Sequence, residues 1–197
     1  MENEVKKPAV KFNYVSPEAY LAAERLATEK HEYFKGELFA MSGASWAHNV
    51  IAKNINTLVL PFLKGKPCDM FGSDLRVHIP ENSLYTYPDF TVICGEWETI
   101  DSEKDTVTNP SVIVEILSKS TRDYDRGTKF NRYRSIKTLK EYILIDSLIV
   151  SVELFTRQND ERWILSEYKT LSDHFTIATI GLSLQLYDVY EDVRILE

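Results

Sequence analysis

Two stretches limit the fold more than anything else in the chain: DFTVICG at residues 89–95 and SVIVEILS at residues 111–118. Runs this continuously apolar, bounded by turn residues, read as strands buried on both faces, in the middle of a covered sheet. Inside the second run stands Glu115. Side chains alternate along a strand, so Ile113, Glu115 and Leu117 share one face while Val112, Val114 and Ile116 share the other. Glu115 therefore points into whatever covers that face. An ionised carboxylate there costs several kcal/mol unless it meets a cation, a metal or hydrogen-bond donors, or takes up a proton.

The sequence offers two partners. Pro88-Asp89 opens the other apolar run, which places Asp89 at or near a strand start, where a side chain can face a cleft. Two carboxylates converging from adjacent strands repel, and a hard divalent cation such as Mg²⁺ resolves the repulsion with one or two carboxylates plus waters. The second partner is Lys129. Ser120-Thr121-Arg122-Asp123 has the form of a capping box, so a helix is expected over about 123–136. Glu115 lies roughly 10 Å before the strand end, and Lys129 about 9 Å into that helix. A helix folded back over the strand draws the two level, with Arg126 and Tyr133 one turn to either side. The plainer reading of the same pattern is a buried salt bridge or an edge position.

The remaining elements follow from caps and periodicity. Ser16-Pro17 starts a helix expected to run to about His31, and GELFAMSG reads as a short strand. Ser45 caps a second helix, WAHNVIAKNINTLVLPFL, which Gly65 and Pro67 close. MFGSDLRVHI reads as one alternating strand, with Asp74, Arg76 and His78 on an exposed polar face. EYILID, IVSVELFT and RWILSEYKT form an antiparallel C-terminal meander with QNDE as a turn, and FTIATIGLSLQLYDVYED is open between strand and helical turn. The fold class expected is α/β (α+β): a central mixed β-sheet flanked by helices.

At 197 residues with 44% apolar content, one domain is expected over residues 14–197, preceded by a tail at 1–13. No stretch is long and apolar enough to cross a bilayer, and MENEVKKPAVKF has no apolar signal region, so a soluble, cytoplasmic protein without membrane contact is expected. Cys68 and Cys94 are the two cysteines, with no neighbouring metal-ligand pattern, and are read as reduced, packed thiols. The net charge of −7 argues against broad coating by phosphate-binding residues, yet residues 119–140 hold eight Lys and Arg against Asp123 and Asp125.

Pro88-Asp89, Glu115 in VIVEILS and a following lysine resemble the PD-(D/E)XK nuclease pattern. More narrowly, EKHEYFKGELFAMSGASWAHNVI, FGSDLRVHIPENSLYTYPDFTVICG and VIVEILSKSTRDYDRGTKFNRYRSIKTLKEYILID resemble the Uma-two family of restriction-endonuclease-like proteins, over roughly residues 14–190. Leu117 occupies the place where the broad pattern has lysine, and the resemblance implies that the lysine has migrated to Lys129. It also directs attention to Glu37 as an additional acid and His48 as a phosphate or water contact. On this resemblance Asp89, Glu115 and the backbone carbonyl of Ile116 hold Mg²⁺ or Mn²⁺, Lys129 orients water, and Lys119, Arg122 and Arg126 hold a nucleic-acid backbone, with DNA the expected substrate. The alternative is a non-catalytic module that keeps the nuclease fold and binds nucleic acid or a protein. A homodimer is expected on base rates alone.

Overall fold

The two apolar runs form neighbouring strands inside a six-stranded sheet. The computed structural model describes residues 14–194; the tail expected at residues 1–13 lies outside the described residues. The chain begins with α1 (Pro17–Glu24), β1 (His31–Phe34), β2 (Glu37–Ala40), α2 (Trp46–Leu63), β3 (Cys68–Gly72), β4 (Arg76–Ile79), β5 (Leu84–Thr86), β6 (Phe90–Cys94) and β7 (Thr106–Val107). It continues with β8 (Val112–Leu117), α3 (Arg122–Tyr124), a π-helical turn (Asp125–Lys129), α4 (Phe130–Tyr133), β9 (Glu141–Asp146), β10 (Val152–Arg157), β11 (Trp163–Tyr168), β12 (His174–Ile177), β13 (Leu182–Gln185) and α5 (Leu186–Val189).

The large sheet has the order β11-β10-β9-β8-β6-β3, a second sheet runs β2-β1-β5-β4-β7, and β12 pairs with β13. Both sheets are mixed: β8 is parallel to β9, and β4 to β7. Val112, Val114 and Ile116 pack with α2 residues Ile51, Ile55 and Val59 and with the C-terminal hairpin. Ile113 and Leu117 pack on the opposite side with Phe130, Tyr133 and the second sheet's Val77 and Ile79. Each such aliphatic burial contributes roughly 1.5–3 kcal/mol, which is why neither run tolerates an alternating polar face.

A parallel strand pair cannot be closed by a hairpin, so residues between β8 and β9 must cross over one sheet face. They cross the Glu115 face. Topology thus carries the basic segment over the buried acid.

Several expectations change. The first helix ends at Glu24, because its carboxylate accepts the His31 N–H (2.7 Å) and meets the imidazole (3.1 Å), turning the chain into β1. Lys35 and Gly36, both with positive φ, then close the β1–β2 hairpin, as a tight two-residue turn requires. MFGSDLRVHI is two strands in different sheets, split at residues 73–75. Its Arg76 is buried, not exposed, and donates to the Tyr87 hydroxyl at 3.0 Å. The capping box is not made: Thr121 is the N-cap, and its N–H donates to Ser118 Oγ.

Cys68 and Cys94 are joined as a disulfide rather than standing as free thiols. Antiparallel β3 and β6 place them directly opposite each other in register. The pairing removes the cysteine-based ground for a reduced compartment. Among the described residues, no helix is long and apolar enough to cross a membrane.

Candidate active site

Glu115 is 4% exposed and Lys129 5%. Lys129 Nζ lies 2.8 Å from Glu115 Oε1, and the Tyr133 hydroxyl donates to the same oxygen at 2.9 Å. Both contacts leave Oε2 free of these two donors. The ammonium also meets Glu32 Oε1 at 3.2 Å and Asp125 Oδ1 at 3.6 Å. Glu32 comes from β1, where the Thr86 hydroxyl donates to its Oε1 and the Tyr124 hydroxyl to its Oε2 at 3.4 Å. One buried cation thus gathers three carboxylates from two sheets and the crossover.

The π turn explains this grouping. Its i→i+5 winding turns the chain less per residue than an α-helix, so Asp125, four residues before Lys129, lies alongside it. Arg126, three residues before, swings the other way. The Tyr142 hydroxyl from β9 donates to the Asp125 carbonyl at 3.1 Å and ties the turn to the sheet.

Asp89 stands just before β6 and bridges two elements. Its Oδ2 accepts the Ile116 N–H at 2.6 Å, and its Oδ1 lies 3.0 Å from His48 Nε2. An ionised carboxylate accepts, so the imidazole nitrogen donates. His48 sits in the first turn of α2, where its own N–H is capped by Ser45 Oγ. Because N–H and C=O of one strand residue leave on the same edge, the Ile116 carbonyl is directed past the end of β6, beside Asp89.

Asp89, His48, Glu115, Ile116, Lys129, Glu32 and Asp125 all line one cleft of about 980 Å³. Burial pushes the Glu115 carboxyl up to about 8, with Lys129 opposing and the Asp125 and Asp89 charges adding to the rise. Asp125 is also raised, again chiefly by burial. For Lys129, burial acts downward, but Glu115, with Tyr133, Glu32 and Asp125, overcomes it and holds the ammonium well above the usual lysine range. Charged Lys129 favours charged Glu115, whereas burial favours the neutral acid. The net direction for Glu115 is upward, because burial, aided by the Asp125 and Asp89 charges, outweighs the Lys129 ammonium.

Four other sequence candidates are not brought into this cluster. Glu37 is exposed at the turn end of β2, opposite Phe34 and outside the cleft lining. Lys119 is exposed two residues beyond β8. The guanidinium groups of Arg122 and Arg126 reach Asp146 at 2.5 and 3.5 Å, and Arg126 also reaches Glu153 at 2.7 Å. These two arginines hold the crossover against β9 and β10. Sequence reasoning did not select Glu32, hidden by the overlong first helix, or Asp125, whose placement depends on the π winding.

A strand pair with converging acids, a lysine from the adjoining crossover and a cleft at the end of the sheet define a restriction-endonuclease-like α/β architecture. A crystal structure from Anabaena variabilis, described as "a putative nuclease belonging to DUF820", superposes with a TM-score of 0.69 over 83% of this chain and 91% of that one, at 15% identity. The chain belongs to the Uma2 family, described as "Putative restriction endonuclease", whose model matches residues 17–187. Two Synechocystis relatives are "Uncharacterized protein slr1290", 37% identical over 93% of this chain and 95% of its own length, and "Uncharacterized protein sll1609", 40% identical over 75% and 84%.

Proposed function

We propose that this chain is a metal-dependent endonuclease that hydrolyses phosphodiester bonds of DNA. The observation that carries the reading is the pair of contacts on β8: Asp89 fixed on the Ile116 N–H, and Glu115 one residue earlier against Lys129. The donor set suits a hard divalent cation. Among the described residues no three His, Cys, Asp or Glu side chains are gathered as a metal-ligand group, so an ion would rest on Asp89, Glu115, the Ile116 carbonyl and waters, a sparse oxygen set that Mg²⁺ or Mn²⁺ accepts. Glu115, raised by burial and by neighbouring acids, would be relieved by such a charge.

When bound, the ion supplies Lewis-acid polarisation of the phosphate and a lowered pKa for attacking water. The protein's own residues do the positioning. His48 and the Ile116 N–H fix the Asp89 carboxylate, and Tyr133 fixes Glu115. Lys129, held charged by its acids, orients water and offsets negative charge that develops on the phosphoryl oxygens. Lys119 is the exposed cation nearest in sequence for the backbone; Arg122 and Arg126 reach a phosphate only by leaving Asp146 and Glu153.

The test is to incubate the protein with plasmid, single-stranded DNA and RNA, with and without Mg²⁺ or Mn²⁺, beside Asp89→Asn and Glu115→Gln. Metal-dependent cleavage lost in both variants supports the reading; cleavage at full rate in both removes the site. A second reading, a binding module that keeps the nuclease fold, is favoured by one observation: Lys129 is already held by three carboxylates. Absence of Mn²⁺ binding in calorimetry would select it.

A further inference from the structure

The cleft is poor in free cations. Lys129 is buried among its acids, and Lys30, also in the lining, donates to the Ser73 carbonyl and hydroxyl and pairs with Asp74. Duplex recognition depends on neutralising many phosphates, and among the described residues no Lys or Arg besides these two lines the cleft. It does offer aromatic surface.

Phe39 lies on β2 directly opposite Glu32 in the β1–β2 register, so both side chains leave the same sheet face with Cβ atoms roughly 5 Å apart. Glu32 is sequestered on Lys129, whereas Phe39 is 47% exposed and lines the cleft. Tyr124 from α3 also lines the cleft and is anchored through its hydroxyl to the Glu32 carboxylate. Two aromatic rings from different elements therefore stand by Glu32 in the cleft lining: Phe39 exposed, and half-buried Tyr124 tied through its hydroxyl.

Resting on the reading of this site as a nuclease, we propose that Phe39 is a base-stacking residue and that the cleft selects unpaired nucleotides over intact duplex. A base with an exposed π-face can stack on Phe39 whatever its identity, and such a contact is independent of salt, whereas phosphate contacts are not. Stacking also requires that the base be out of a duplex. The selectivity belongs to this wall, apart from the acids that carry the chemistry.

Fluorescence anisotropy tests this with the full chain in Ca²⁺, using a labelled single-stranded oligonucleotide and the same sequence as duplex. Wild type should bind the single strand at least tenfold more tightly. Phe39→Ala should weaken that binding about five- to 160-fold, the range for losing one stacked base, with the salt slope unchanged, and Phe39→Tyr should keep it within about threefold of wild type. Equal or tighter duplex binding, or a Phe39→Ala variant that binds the single strand like wild type, overturns the inference. Failure of the nuclease reading shows separately, as cleavage insensitive to Asp89→Asn. Because Phe39 lies exposed on an edge strand, its replacement leaves the core intact.

Discussion

Replacing Lys129 by methionine tests how the buried cluster is balanced. The substitution keeps a side chain of similar length and removes a cation that lies 2.8, 3.2 and 3.6 Å from three carboxylates. Breaking one buried pair by removing a partner costs about 3–5 kcal/mol. Three ionised acids on one ammonium would exceed that, but Glu115, raised to about 8 by burial, is already mostly neutral near pH 7, which limits the loss. We therefore expect about 3–5 kcal/mol near neutral pH, or a Tm lowered by about 6–20 °C for a chain of this size. The sign with pH follows from linkage. A carboxylate whose folded pKa is raised above its unfolded value holds a proton that the unfolded state releases, so its stabilisation is full below the unfolded pKa and is lost as pH rises through the folded pKa. The variant holds more such protons than wild type, so its deficit should widen between about pH 6 and about pH 8.5, by roughly 1.4 kcal/mol per pH unit for each added proton. Urea unfolding at both pH values, read by tryptophan fluorescence, measures this. A deficit under about 1 kcal/mol at both, or one that shrinks as pH rises, refutes the balance described.

Three further outcomes are expected. Glu115→Gln should flatten the decline of Tm between about pH 5 and about pH 8, because it removes a group that folds with a raised pKa; an unchanged thermal-melt profile counts against burial of the charge. Asn54→Ala should cost about 1–3 kcal/mol in urea unfolding, because its amide donates to the Val189 and Glu191 carbonyls and ties α2 to the chain end. Cys68→Ser, or reduction of wild type, should cost about 3.5 kcal/mol from the released 26-residue separation, read as a Tm that reductant lowers in wild type and leaves unchanged in the variant.

The α2 boundaries were legible because local chemistry sets them: Ser45 caps one end and Gly65 with Pro67 stops the other. The acid and lysine were legible because strand parity fixes the Glu115 face and a parallel crossover must pass over one face. Asp125 was not, since π winding leaves no pattern in the residues around Gly127, and neither was Glu32, since the Glu24 contact with His31 that ends α1 is tertiary. Arg122 and Arg126 read as free cations because their acids, Asp146 and Glu153, lie on strands whose order is a global property. The disulfide was hidden for the same reason: only the β3–β6 register opposes the two cysteines.

The most direct measurement of the two-acid site is calorimetric titration with Mn²⁺ of wild type, Asp89→Asn and Glu115→Gln. One Mn²⁺ site in wild type, lost or weakened at least tenfold in each variant while both remain folded, is the predicted result. Equal binding by all three proteins, or no binding by wild type, would contradict it.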